Sequence, residues 1–343
     1  MDAEDLRKKL LKASGGAALH PDHLFAPSTS SPAERRTTFT AASWEPYFDT
    51  REVVEVSSTG NRFMTYQSRR DRGPLFVFHH GAGHAALAFA LVAQRMRQKY
   101  PDEMSFLAYD CRGHGDTHTD GDLDLSLDTL AGDFKAILDA LYPNGSHPQV
   151  FLVGHSMGGA VVTQIAYKQL VPNLGGFVVI DIVEGNAMAA LGKIKKFCET
   201  RPQKFRSVSD TIAWFLRIRA IVNVESAQIS VPPLVVEESS PEGPVYVWRT
   251  DLGASEQYWK DWFQGLTDKF LQAKGAKMLM LAGPERLDKP MMIAQMQGKF
   301  QPVMFPDSGH AIQEDHPDEV ARSLIEIWQR SRPLTLPPKL PRS

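Results

Sequence analysis

The chain has 343 residues, 43% of them hydrophobic, enough for one large α/β domain or two ordinary ones without any covalent staple. Its 38 Lys and Arg nearly balance 40 Asp and Glu, so a formal net charge of −2 gives no whole-chain electrostatic case for a nucleic-acid partner. Cys111 and Cys198 form no C-x-x-C pair, no window reaches the ~18 apolar residues of a membrane span, and the charged N-terminus (MDAEDLRKKLLKASGG) lacks the apolar region of a secretory signal, so a cytoplasmic location is expected, with nuclear entry left open.

Leu6, Leu10 and Leu11 permit a short amphipathic helix, with a solvated terminus as the competing reading. Residues 20–46 are rich in Ser, Thr and Pro and predict an irregular lead-in. Strands are expected over Arg51–Val56, Arg62–Gln67, Pro74–His79 and Met104–Tyr109, with helices over Ala85–Lys99 and Leu127–Leu141. Val150–Val153 reads as a buried strand, Gly159–Leu170 as a helix and Gly176–Ile182 as the next strand. After Glu184 the rhythm changes. Val208, Ile212, Phe215, Leu216 and Val222 form a helical stripe, and residues 231–244 are Pro-rich. Trp259, Trp262, Phe263, Leu266 and Phe270 then fall at helical spacing and are expected to pack in the core. Strands Lys277–Ala282 and Gln301–Phe305 and a helix over Asp318–Arg330 close the pattern. Strands that are apolar throughout, alternating with helices, predict an α/β protein with a mostly parallel sheet covered on both faces. The expected divisions are an irregular segment 1–46, a core of 47–185 and 249–330, a cap insertion 186–248 over the sheet's C-terminal edge, and a flexible Pro-rich tail 331–343.

Gly154-His155-Ser156-Met157-Gly158 places a serine in G-x-S-x-G between that buried strand and a helix, the context of a nucleophile elbow. A serine needs an imidazole held against its hydroxyl, and His310, on the loop after the final strand, is the favoured base over His316, which precedes Pro317. The carboxylate that would orient the imidazole is either Asp181, ending an apolar strand, or one of Glu285 and Asp288 after KMLMLA. Asp181 would be costly to bury unpaired, which favours a functional partner; the structural reading of Asp288 is a turn or cap residue. An oxyanion hole is expected from the N–H of Met157 and of Ala82, with Gly81 next, in the turn His80-Gly81-Ala82-Gly83. The spacing there fits no phosphate-loop motif. Asp110-Cys-Arg-Gly-His-Gly-Asp116 could suggest a metal, yet it matches no standard ligand spacing and reads as a structural turn.

Together these segments resemble the α/β-hydrolase superfamily and, within it, the protein phosphatase methylesterases. The resemblance is carried by HHGAGHAAL (79–87), DCRGHGDT (110–117), VGHSMGGA (153–160), VVIDIVEGNAM (178–188), WRTDLGASEQYWKDWFQGL (248–266), LAGPERLDKPMMIAQMQGKFQ (281–301) and SGHAIQEDHPDEVA (308–321). It implies an α/β-hydrolase fold and removal of the methyl ester from the C-terminal leucine of the protein phosphatase 2A catalytic subunit, whose methylated tail is the expected partner. It implies Ser156 as nucleophile, His310 as base and Asp181 as acid, with no metal or other cofactor. Two departures stand out: Ala82 replaces an expected third glycine, and only Glu237–Pro244 remains where some relatives carry a long acidic stretch. The insertion is expected to dock the phosphatase through Trp214, Phe215, Arg217 and Arg219. The alternatives are a small-molecule carboxylesterase or lipase, and a phosphatase-binding regulator with little catalysis.

Overall fold

The computed structural model describes residues 38–241 and 243–332. The helix considered around Leu6 and Leu10, most of the irregular lead-in and the tail from Pro333 lie outside the described residues. Strands β1 (Thr50–Val56), β2 (Asn61–Ser68), β3 (Leu75–His79), β4 (Ser105–Tyr109), β5 (Val150–His155), β6 (Leu174–Ile180), β10 (Ala276–Leu281) and β11 (Gln301–Met304) form one sheet in the order β1-β2-β4-β3-β5-β6-β10-β11. From β4 to β11 every neighbouring pair is parallel, and β2 joins β4, and β1 joins β2, antiparallel. The expected α/β architecture is what forms.

The strands read as unbroken apolar runs because both faces are covered. On β5, Val150 and Leu152 enter one core with Phe134, Val161 and Phe270, while Phe151 and Val153 enter the other with Phe89, Leu324 and Trp328. Helices α1 (Ala90–Lys99) and α11 (Pro317–Ser331) supply the second core; α2 (Leu127–Leu141) and α3 (Met157–Tyr167) supply the first. Each fully buried Leu, Phe or Val contributes about 1.5–3 kcal/mol through area removed from water. Ser126 starts α2, its Oγ accepting from Thr129 N.

Between β6 and β10 lie α4 (Glu184–Thr200), α5 (Val208–Arg217), α6 (Val224–Ser230) and a small antiparallel sheet of β7 (Lys204–Phe205), β9 (Gly243–Trp248) and β8 (Val235–Ser240). Trp214 and Phe215 require a correction. Both are buried, packed with Phe205 and Trp248 in an aromatic cluster, so they hold this segment together rather than present themselves to a partner. Arg217 and Arg219, by contrast, are exposed. The helix expected through Trp259 and Phe270 is two helices, α7 (Glu256–Phe263) and α8 (Leu266–Gln272), because Gly265 between them takes a left-handed φ of 76°. The remaining helices are α9 (Lys289–Met296) and the short α10 (Ile312–Asp315). Among the described residues no helix is long and apolar enough to cross a membrane.

Candidate active site

β5 turns into α3 at Ser156, whose φ of 52° and ψ of −118° lie where L-residues are strained. The turn is held by Ser156 N donating to Ile180 O at 3.0 Å and Gly159 N donating to Ser156 O at 2.8 Å. The flanking glycines are steric necessities. A Cβ at Gly154 would lie 2.1 Å from Gly158 O, and one at Gly158 would lie 2.2 Å from His79 O.

Asp181 directly follows β6 and leaves the strand through a left-handed φ of 55°, so the strand ends at Ile180 rather than at Ile182. Its Oδ1 accepts from Ala282 N at 3.0 Å, and its Oδ2 lies 2.7 Å from His310 Nδ1 and 2.5 Å from Arg286 Nη1. The carboxylate is fully buried, whereas the His310 side chain is 43% exposed. With Nδ1–H donated to the acid, Nε2 is the basic nitrogen. The rival carboxylates are elsewhere: Asp288 caps α9 through Met291 N and accepts from Gly185 N, and Glu285 is exposed. Arg286 was not foreseen. The available signal was that a buried carboxylate ending an apolar run needs several donors, and Arg286 sits on the loop beside the rival acids.

His155, the residue before the serine, is fully buried, and its Nε2 lies 2.9 Å from the His310 main-chain oxygen. Burial, and then the nearby His310 and His84 rings, hold it well below the ordinary histidine range, so it is neutral. Ser156 Oγ and His310 are not hydrogen-bonded to each other; catalytic contacts of this type are often long before substrate binds.

The turn after β3 closes through His84 N donating to Gly81 O at 3.1 Å. The left-handed residue is Gly83 (φ 74°), not Ala82, so alanine at 82 meets no backbone obstacle. Gly83 N donates to His114 Nε2 at 2.9 Å. The N–H groups of Ala82 and Met157 donate to no protein acceptor among the described residues.

The segment 110–116 supports this turn from below. Asp110 accepts from Ala86 N at 2.8 Å and Asp116 N at 3.1 Å, and burial pushes its carboxyl up to about 6. His80, Cys111 and His114 bring potential ligand atoms within 4.8 Å of one another. Their lone pairs are already used, however: His80 Nε2 accepts from Cys111 N and His114 Nε2 from Gly83 N, while each Nδ1 faces a carbonyl. Burial also raises the Cys111 thiol well above its usual range, away from the thiolate a metal needs. The donor set fits a scaffold.

The α/β hydrolase family model matches residues 76–323. Protein phosphatase methylesterase 1 of Schizosaccharomyces pombe (strain 972 / ATCC 24843) is 40% identical over 305 residues, covering 87% of this chain and 88% of that protein. Protein phosphatase methylesterase 1 of Gibberella zeae is 43% identical over 319 residues, covering 89% and 79%. The chain belongs to the protein phosphatase methylesterase family. As a methylesterase of α/β-hydrolase fold it is a carboxylic ester hydrolase. Among solved structures it is similar in fold to E-2-(acetamidomethylene)succinate hydrolase (TM-score 0.64, 17% identity, 82% of this chain and 99% of that one). It is likewise similar to a thioesterase domain from the curacin biosynthetic pathway (TM-score 0.59, 18% identity, 80% and 98%).

Proposed function

We propose that this methylesterase hydrolyses the methyl ester on the C-terminal leucine of the protein phosphatase 2A catalytic subunit, with Ser156 as nucleophile, His310 as base and Asp181 as the orienting acid. The reading is carried by the buried Asp181 carboxylate bonded to His310 Nδ1 on a loop tied to the serine's own strand. Ser156 Oγ attacks the ester carbonyl as His310 Nε2 takes its proton, and the Ala82 and Met157 N–H groups hold the oxyanion. The protonated His310 returns the proton to the leaving methoxide, releasing methanol. Water, deprotonated by His310, then attacks the acyl-enzyme, and His310 returns that proton to the departing Ser156 Oγ, freeing the leucine carboxyl group and restoring the enzyme. Every proton transfer is served by His310, so the cycle requires no cofactor.

In this reading residues 186–248 form the docking insertion, and the exposed Arg217 and Arg219 are its contact candidates. The free cysteines Cys111 and Cys198 suit a cytoplasmic compartment. The test is loss of the C-terminal methyl group from intact methylated phosphatase 2A, comparing wild type with Ser156→Ala. Loss with wild type alone supports substrate and nucleophile together; no loss with either would overturn the substrate assignment. Charge reversal at Arg217 and Arg219 should weaken phosphatase binding, and unchanged binding would remove that part of the proposal.

A further inference from the structure

The loop bearing His310 and the nucleophile elbow are joined by a side chain that the mechanism above does not use. His155 Nε2 meets the His310 main-chain oxygen across 155 residues of sequence. A carbonyl only accepts, so Nε2 carries the proton and Nδ1 the lone pair. That Nδ1 is buried without a hydrogen-bond partner among the described residues. The imidazole lies with its centroid 4.6 Å from the His310 ring and 5.3 Å from the His84 ring. A Cβ placed on Gly81 would come 2.9 Å from Nδ1 and 3.2 Å from Ser156 Cβ.

One imidazole therefore touches the base, the main chain that carries the base, and the oxyanion turn, and it is covalently next to the nucleophile. An apolar side chain of similar volume would fill this space without burying an unpartnered nitrogen. Packing alone thus gives no reason for a histidine here. The donated N–H does: it is the polar feature of the ring that finds a partner, and an apolar isostere lacks it.

We propose that His155 is a positioning residue that registers the His310 loop to the nucleophile elbow, its Nε2–H holding the His310 main chain while leaving the His310 side chain free to carry protons. This rests on Ser156 and His310 acting as nucleophile and base. Burial keeps His155 neutral, so the tautomer that donates to His310 is the one present under working conditions. A reacting group displaced by about 1 Å loses on the order of 100-fold in rate, which sets the scale of the effect.

The test uses the full chain with His155→Leu, which removes the donor, and His155→Gln, which keeps an N–H₂ at the end of a side chain of similar reach. Two readouts are taken: kcat and KM for demethylation of methylated phosphatase 2A, and the second-order rate of Ser156 labelling by a fluorophosphonate. His155→Leu is expected to lower kcat and the labelling rate roughly 100-fold with KM within about twofold of wild type. His155→Gln is expected to recover at least about tenfold of that loss. Equal loss in both variants, a rise in KM at unchanged kcat, or an unimpaired Leu variant would overturn the proposal. If the Leu variant does not fold, His155→Met, an unbranched and adaptable side chain, takes its place. A wild-type protein that never labels would overturn the nucleophile assignment itself, an outcome distinct from equal labelling of wild type and Leu variant, which removes only His155.

Discussion

Ser156 sits in a backbone conformation that serine does not favour, and the strain is held by the hydrogen bonds and glycine contacts around the elbow. Ser156→Gly should therefore abolish ester cleavage while raising unfolding stability by about 1–2 kcal/mol, read from urea midpoints. An unchanged or lower midpoint would mean that the turn is not strained. Asp181 differs, because its carboxylate serves His310, Arg286 and Ala282 N together. Asp181→Asn is expected to lower kcat about ten-thousand-fold, since an amide can present the wrong tautomer partner to His310. It should also lower stability, because Arg286 loses its ion pair. A kcat within tenfold of wild type would rule out Asp181 as the orienting acid. Motif and position point to the serine and the histidine as candidates but not to Arg286, because nothing local marks an arginine that reaches back 105 residues.

Short elements around the elbow depend on close approach. Gly158→Ala would put a Cβ against two backbone oxygens, at 2.2 Å from His79 O and 2.7 Å from His80 O, neither at the end of a flexible side chain. The expected result is a loss of about 3 kcal/mol or more, at the upper end for overpacking, with little fluorophosphonate labelling. The turn 110–116 is anchored to α2 by a buried two-point ion pair, Arg112 Nε to Asp133 Oδ2 at 2.6 Å and Nη2 to Oδ1 at 2.7 Å. Burial pushes the Asp133 carboxyl up, and Arg112 opposes that. Arg112→Met strands the carboxylate and should cost about 3–5 kcal/mol, whereas the joint Arg112→Met, Asp133→Leu change should recover much of it. Equal midpoints for single and double variants would show that the pair is not coupled.

For the molecule as a whole, buried imidazoles set the acid limit. His79 and His114 are lowered to about 4 and His80 and His155 well below the usual value, burial being the main cause in each. The unfolded chain takes up these protons below about pH 6.5 and the folded chain does not, so stability is lost as pH falls from 6.5 toward 4. Asp110 works in the opposite sense. Its folded carboxyl keeps a proton up to about 6 against 3.8 unfolded, so it favours the fold at low pH and that contribution is lost as pH rises from about 4 to 6. Near pH 5 the four imidazoles outweigh the Asp110 carboxyl, so on balance these groups make unfolding take up protons and stability falls with pH. Urea midpoints measured from pH 7 to 5 should fall steeply; a flat profile would mean that these histidines are not buried neutral.

Sequence by itself determined the fold class and the elbow. Apolar strand runs and helical periodicity report burial on both faces of a parallel sheet, and Gly154 of G-x-S-x-G reports a turn whose sterics are local, its Cβ position meeting Gly158 and Gly159. The same local logic failed where a helix was broken by Gly265 and where Trp214 and Phe215 looked available to a partner, because a breaker's φ and an aromatic's burial depend on what packs against them. Only the tertiary structure decided which carboxylate meets His310. The residues alone left Asp181, Glu285 and Asp288 open, and the parallel register of β6 beside β10, with the left-handed exit at Asp181, brings one of them to a histidine 129 positions away. It likewise decided that His80, Cys111 and His114 serve as scaffold, since whether a lone pair is free depends on which distant N–H faces it. Hydrogen bonds between residues far apart in the chain are set by register and packing, and neither leaves a periodic trace in sequence.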